Sequence, residues 1–561
     1  MWFQNLKNFC QSINRNKLLL LILIFGLSLR AANPTFGSPS LYVSNDEAIA
    51  HLSAWNMLAA KTPVSIANYT PLGAYIQLPF LAASYLTMKA LGLVHNATGF
   101  EVFVLTREGY FLFIPRLISA FFGSLLIILV YKITLLMFNQ KRAALISAFM
   151  TAVSFNLVHI SNTGRPWSAA LFFIVLSFYL ALKGNRLFPY LVLGVAYGFH
   201  QAAFLALPLI ILAGRGKIRW KIAGAVMFLL FFLIFNNLTL KTGLVQAIAN
   251  NQSFLKKGKF LADFITGEKD LFGSPIGTFQ NNLSFYFLKN IFVTDGGILG
   301  FGILGIFLCR KVFFIRSVIT YLILYFVFAS LFFHPLIRYL LIPLILLIPF
   351  SAIGIAKLIT NKFLLAIILV LISINSLWWV NLYIKKPTFL MAQEWVKINI
   401  DKDVPVAYTG GRFSIFVPNR EAISYMQKVT PNLWQKLYGL NLENSENVRN
   451  IIYSGKFPGS EKIVQFENAT LNYPVKYVLD YYLDPRESIN VKNSDRFILV
   501  KHFSPASFKG QGRIAETLFD PSSNFGTYDR KGSGSMYSLE RTGPIFDILM
   551  VKNYSGLTNK K

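Results

Sequence analysis

Uncharged apolar stretches of roughly 15 to 25 residues recur through the first two thirds of this 561-residue chain, and nothing else in it constrains the fold so strongly. A helix of about 20 apolar residues covers about 30 Å of hydrocarbon, because each residue rises 1.5 Å. The runs are continuously apolar, whereas the strands of a membrane barrel alternate and are about ten residues long. Only 14% of the residues are charged, against about 25% in a soluble domain. The chain therefore reads as a multi-pass α-helical membrane protein.

The positions of Lys and Arg order the spans, because cytoplasmic loops carry the excess of both. The chain opens with Lys7, Arg15 and Lys17 before the apolar run Leu18–Leu29. The sequence after it, Arg30-Ala31-Ala32-Asn33, is a poor cleavage site, so an uncleaved first span with a cytoplasmic amino end is expected. Further spans are expected at Phe111–Phe138, Ala143–Ile160, Trp167–Leu182, Phe188–Phe199, Gln201–Ala213 and Ile222–Leu238. Beyond a long loop come Gly297–Cys309, Val318–Phe333, Leu336–Ala356 and Phe363–Ile384, which makes about 11 transmembrane helices. This assignment puts five basic clusters on the cytoplasmic side: Lys141-Arg142, Lys183 with Arg186, Arg215 to Lys221, Arg310-Lys311 with Arg316, and Lys357 with Lys362. Counting Pro71–Val94 as a span would invert all of them, so that stretch is expected to form interfacial or re-entrant helices broken near Pro71 and Pro79.

Two domains follow. Residues 1–384 form the transmembrane part, with outer loops at about 33–110 and 239–296; residues 385–561 form a soluble extracytoplasmic domain. That domain is expected to be α/β, opening with an amphipathic helix at Phe389–Ile398 and holding strands at Val404–Tyr408, Tyr477–Leu483 and Phe497–Val500. Ser522–Tyr537, rich in Gly and Ser, reads as a flexible loop.

The formal charge of +29 fits cytoplasmic anchoring and attraction to anionic membrane lipid; nucleic acid is not an expected partner. The two cysteines, Cys10 and Cys309, cannot build a disulfide framework. No metal-ligand spacing is present, so no cofactor is assigned and a divalent metal is not indicated.

Ionisable residues beside spans are expensive in a low dielectric and mark candidate sites. Asp46 and Glu47 stand together in the first outer loop, before a helix-like stretch; they suit proton removal from a hydroxyl, or equally the acidic start of a helix. Arg165, in Gly164-Arg165-Pro166-Trp167, sits on a short outer turn against the positive-inside trend. It suits a phosphate, or snorkelling beside an interfacial Trp167. His334 and Arg338 occupy a similar outer position, where Arg338 suits a pyrophosphate and His334 a hydrogen bond to it. His51, Lys89, Arg107, Arg116, His200 and Lys289 are lesser candidates. No Walker loop, dinucleotide fingerprint, zinc-type helix or nucleophile elbow occurs, which argues against ATP-driven pumping and soluble hydrolase chemistry.

Four stretches, in this order and on one side of the membrane, resemble the C-type (GT-C) membrane glycosyltransferases of the dolichyl-phosphate-mannose–protein mannosyltransferase superfamily, whose relatives include the bacterial aminoarabinose lipid A transferase. Asp46-Glu47 stands where that family places an Asp-Glu motif. Tyr69-Thr70-Pro71-Leu72-Gly73-Ala74-Tyr75 resembles its His-Pro-Pro-Leu motif, with Tyr-Thr in place of His-Pro. Pro115-Arg116-Leu117-Ile118-Ser119-Ala120-Phe121-Phe122-Gly123 is similar to a frequent second-span pattern, and Ser161 to Trp167 to an Ala-Arg-Pro-Tyr motif of one bacterial subgroup. The likeness covers Asn16 to Arg186 well and His334 to Ile353 loosely.

The resemblance implies a polyprenyl-phosphate sugar as donor and an extracytoplasmic acceptor, whether glycolipid, polysaccharide or protein, in a cell-membrane enzyme that inverts the anomeric centre. It implies Asp46 as general base with Glu47 in support, and Arg165, Arg338, His334 and Lys289 at the donor phosphate. Tyr69, Tyr75, His51 and Trp167 are expected to line the pocket or meet the acceptor. A non-catalytic envelope assembly protein and a lipid-linked saccharide transporter stand as alternatives.

Overall fold

The computed structural model describes residues 17–38, 45–60, 70–106, 111–214, 216–238, 283–309, 313–329, 340–408, 416–418, 448–449, 451–453, 476–482, 497–504 and 545–552. Seventeen α-helices and seven strands are found among them. The first is α1, Lys17–Arg30. Four helices follow before residue 107: α2 (Asn45–Ala60), the single turn α3 (Leu72–Tyr75), α4 (Leu78–Ala90) and α5 (Ala97–Thr106). Then come α6 (Phe113–Phe138), α7 (Lys141–Val153), α8 (Phe155–Asn162), α9 (Trp167–Leu182), α10 (Phe188–Phe199), α11 (Leu207–Ala213) and α12 (Ile218–Asn237). Further along the chain are α13 (Leu283–Leu308), which begins inside the stretch expected as a loop, α14 (Phe313–Ala329), α15 (Leu341–Leu358), α16 (Lys362–Ile384) and α17 (Thr388–Asn399).

By length and composition, four helices among the described residues suffice to cross a bilayer: Phe113–Phe138, Ile218–Phe235, Leu341–Leu358 and the run beginning at Lys362. The pair α7 and α8, bent by 49°, makes a fifth if counted as one broken span. Trp167–Leu182, Phe188–Phe199, Gln201–Ala213, Thr294–Leu308 and Ile315–Val327 are shorter apolar helices. The single span expected over Ala143–Ile160 is thus two helices, parted at Ser154, whose backbone is extended (φ −60°, ψ 123°). The stretch Pro71–Val94 is also divided, into α3 and the 13-residue α4, with Pro79 in the first turn of the latter. Between α10 and α11, extended backbone at His200 (φ −156°, ψ 133°) starts a 3₁₀ turn, Gln201–Ala206.

The middle of the bundle is α15, whose 18-residue span is 89% buried, whereas that of α12 is 17% buried and turns Ile222, Val226, Leu230 and Ile234 outward. Lipid tails are as apolar as these side chains, so tight helix contact rests on packing and not on water exclusion. The α13–α15 crossing illustrates this. A Cβ on Gly354 would lie 2.8 Å from the Phe301 carbonyl oxygen, and one on Gly305 would overlap that of Phe350. The two backbones meet because neither glycine has a side chain.

Past α16, the strands β1 (Val406–Tyr408), β4 (Ile451–Tyr453), β5 (Tyr477–Tyr482), β6 (Phe497–Phe503) and β7 (Ile545–Val551) form one sheet in the order β4-β1-β5-β7-β6. β1 runs parallel to β4 and β5, while β7 runs antiparallel to β5 and β6. A second, two-stranded sheet pairs β2 (Val417–Pro418) with β3 (Val448–Arg449) in parallel. Helix α17 buries Phe389, Ala392 and Val396, spaced three and four apart on one face, in a cluster with Phe497, Phe546 and Ile548 of the larger sheet. Ser522–Tyr537 lies outside the described residues.

Candidate active site

Glu47 sits in the first turn of α2 and is 1% exposed. Its carboxylate is met by Arg116 of α6: Nε donates to Oε1 at 2.6 Å and Nη2 to Oε2 at 2.9 Å. A third donor, the backbone amide of Gly164, reaches Oε1 at 2.6 Å. Arg116 spends its remaining nitrogen, Nη1, on the carbonyls of Phe36 at 2.5 Å and Pro34 at 3.1 Å. One buried ion pair therefore ties together the segment after α1, the start of α2, the first turn of α6 and the turn between α8 and α9. Burying both charges is tolerable because each has further hydrogen bonds; removing one partner of such a pair costs about 3–5 kcal/mol.

Asp46 precedes Glu47 in the same turn of α2, and its backbone alone is described. Arg165 follows Gly164 directly and is 1% exposed, so the clamp and this arginine share one turn. Two approaches make that turn compact. A Cβ on Gly73 would lie 2.8 Å from Cβ of Pro166, so α3 rests on the turn. Trp167, also buried, lays its indole against the His200 ring, centroids 3.9 Å apart.

His51, one helical turn after Glu47, is buried and holds α2 to the next elements. The Trp55 indole N–H donates to its Nε2 at 3.0 Å, which leaves Nδ1–H to donate to Gln77 Oε1 at 2.8 Å. Gln77 in turn donates to the Gly73 carbonyl at 2.7 Å. Burial lowers the His51 pKa to about 4, so the ring is neutral near pH 7 and acts as a strut. Tyr75 is half-buried at the end of α3. Lys289 lies on α13 with its backbone alone described, and Tyr69, His334, Arg338 and Arg107 lie outside the described residues. Lys89 is exposed on α4. Among the described residues no group of three or more His, Cys, Asp or Glu is placed to hold a metal ion.

Two charged residues with structural work were not singled out from the sequence. Arg30, at the end of α1, is 2% exposed and donates to the carbonyls of Thr151 (2.7 Å) and Ala152 (2.8 Å), the last turn of α7. Asp295 is 3% exposed, at a kink inside α13 (φ −130°, ψ 36°). It accepts from the amides of Phe155 (2.9 Å) and Asn156 (3.2 Å), from Ser154 Oγ (3.2 Å) and from Asn156 Nδ2 (2.7 Å). Ser376 Oγ takes the Val153 carbonyl. Breaking a helix exposes carbonyls on one side and amides on the other; here a cation meets the carbonyls and an anion meets the amides, each matched to the local dipole. Beside this break lies a cavity of about 230 Å³, lined by Thr294, Asp295, Gly297 and Phe301 of α13 and by Ile372 and Asn375 of α16.

At the other end of α8, Asn162 donates to the carbonyls of Leu29 (3.0 Å) and Arg30 (2.7 Å). Its own side-chain oxygen accepts from the Trp379 indole (3.2 Å), and its carbonyl from the Tyr383 hydroxyl (2.8 Å). Trp379 also stacks on His159, centroids 4.2 Å apart.

Residues 106–245 match the family model for dolichyl-phosphate-mannose-protein mannosyltransferase, a stretch that includes Arg116, Gly164 and Arg165. Of the four motifs that carried the resemblance, those at 115–123 and 161–167 lie inside that stretch, and the resemblance is shown there. No curated protein is matched in sequence. Among solved structures, the chain is similar to the archaeal oligosaccharyltransferase AglB from Archaeoglobus fulgidus in complex with an inhibitory peptide and a dolichol-phosphate. That match has 13% identity and a TM-score of 0.45, and covers 96% of this chain and 89% of that one. It is also similar to ArnT from Cupriavidus metallidurans bound to undecaprenyl phosphate, with 10% identity and a TM-score of 0.47, covering 88% of this chain and 96% of that one.

Proposed function

We propose that this chain is a membrane glycosyltransferase that moves a sugar from a polyprenyl-phosphate donor to an extracytoplasmic acceptor. The acceptor hydroxyl oxygen attacks the anomeric carbon while the carbon–oxygen bond to phosphate breaks on the opposite side, which inverts the centre. Asp46 takes the hydroxyl proton, and polyprenyl phosphate departs with the bonding electrons. Glu47, occupied by Arg116 and the Gly164 amide, is the support that fixes the first turn of α2 rather than a second base. Arg165, with Arg338, His334 and Lys289, neutralises the charge that grows on the leaving phosphate. About 11 spans surround the site in this reading, and the domain at 385–561 is an extracytoplasmic α/β unit that selects the acceptor.

One observation carries the proposal: the Gly164 amide, 2.6 Å from Glu47 Oε1, joins the acidic start of α2 to the turn bearing Arg165. A base and a phosphate-binding cation on adjoining segments are what displacement at a lipid-phosphate sugar requires. Purified full-length protein incubated with a synthetic polyprenyl-phosphate sugar and envelope acceptor tests it. Transfer is expected from the parent, with a fall of roughly 10²-fold or more in Asp46→Asn and in Arg165→Ala. Full activity in Asp46→Asn would remove Asp46 from the role of base.

A further inference from the structure

The turn that carries Gly164 and Arg165 is held from two ends, and only one of them touches Glu47. Its other support is α8, eight residues or about 12 Å long, which ends at that turn. A helix this short is unstable by itself and takes its position from whatever fixes its ends. At its start, Asp295 supplies four hydrogen bonds from an element 140 residues away in sequence. The kink that aims Asp295 is paired with a break in the opposing helix, so two irregularities in two membrane helices satisfy each other. A carboxylate only 3% exposed is costly unless its oxygens are hydrogen-bonded, as these are.

We propose that Asp295 is a positioning residue: by capping α8 across the broken span, it sets the axial position of the outer turn and so the placement of the Gly164 amide and Arg165. Asp295 itself contacts no reacting group. Its effect passes through α8 to Gly164, while Arg30 fixes the end of α7 on the other side of the break and keeps the two halves from rejoining as one straight helix. The catalytic consequence rests on the transferase reading; the structural consequence does not.

Thr163, 6% exposed beside Gly164, reports the turn directly. In purified full-length protein in detergent, with Cys10 and Cys309 replaced by serine so that both faces are open to reagent, Thr163→Cys is expected to react slowly with a maleimide. Adding Asp295→Asn, which turns an amide N–H toward the Phe155 amide, is expected to raise that rate roughly tenfold or more. Asn185→Cys, on the turn after α9, is expected to keep its rate. An unchanged rate at Thr163→Cys, or an equal rise at both positions, would overturn the proposal. Ser154→Ala removes one of the four bonds and should give a smaller rise in the same direction. In the transfer assay, Asp295→Asn is expected to lower kcat about tenfold or more with donor KM kept within about twofold. A raised KM with kcat intact would overturn the positioning role. If the parent protein transfers no sugar, the proposed function falls while the labelling result still decides the role of Asp295.

Discussion

Gly164 and Glu47 approach so closely that a Cβ on the glycine would lie 2.8 Å from Oε1 of the carboxylate, and 2.9 Å from Pro115. The amide of Gly164 can reach Glu47 at 2.6 Å only because nothing projects from its α-carbon on that side. Gly164→Ala is therefore expected to push the outer turn off α2. The expected outcome is about 1–3 kcal/mol lost in stability, read by thermal unfolding in detergent, together with loss of transfer.

The Glu47–Arg116 pair sets a second expectation. Glu47→Ala leaves a buried guanidinium facing an empty space, and Arg116→Ala leaves a buried carboxylate. Each single variant is expected to lose about 3–5 kcal/mol, whereas Glu47→Ala combined with Arg116→Ala loses less than the sum. A double-mutant cycle on thermal unfolding measures the difference. Additive losses would mean that the pair is not coupled.

Two histidines predict pH effects of opposite sign. Outside the spans, His502 donates to Asp547 at 2.6 Å, and that hydrogen bond raises its pKa. A pKa raised on folding stabilises fully below the unfolded value of about 6.5, and the contribution is lost as pH rises through the folded value. His51 runs the other way. Its folded pKa of about 4 lies below the unfolded one, so stability falls as the pH drops from about 6.5 towards 4. Thermal unfolding of the full chain from pH 4.5 to 8.5 checks both, with His502→Gln expected to remove the loss on the alkaline side and His51→Gln the loss on the acid side.

Membrane sidedness gives the fourth expectation. With Cys10 and Cys309 replaced, Thr35→Cys and Lys386→Cys, both at exposed positions, should react with an impermeant maleimide added outside intact cells. Asn185→Cys and Lys362→Cys should react only after the membrane is opened. Labelling of Lys386→Cys from the cytoplasm alone would reverse the assigned topology.

Several helices were readable in the sequence because a bilayer demands long uncharged runs. Phe113–Phe138 and Lys362–Ile384 differ from their expected bounds by no more than two residues. The sheet's longest strands were readable in part: Tyr477–Tyr482 and Phe497–Phe503 fall where β-branched and aromatic residues gather, while Ile545–Val551 went unmarked. The break at Ser154 could not be read locally, since the carboxylate that meets its freed amides lies 140 residues downstream. Asp295, beside two glycines at the edge of the second outer loop, has the look of an ordinary turn residue. Arg116 ranked below Arg165 for the same reason: its importance lies in a partner 69 residues earlier, and sequence spacing carries no trace of that meeting. Glu47 was legible as a candidate but not as a residue already fully engaged.

Tyr383 uses its hydroxyl to hold Asn162 and receives Asn33 on its backbone carbonyl, so one residue near the end of α16 moors both the outer turn and the segment that Arg116 grips. Helix α17 starts five residues past Tyr383, at Thr388, and β1 follows it at Val406. The carboxylate clamp and the terminal sheet thus share an anchor at the end of α16, so a displacement of that end would reach both.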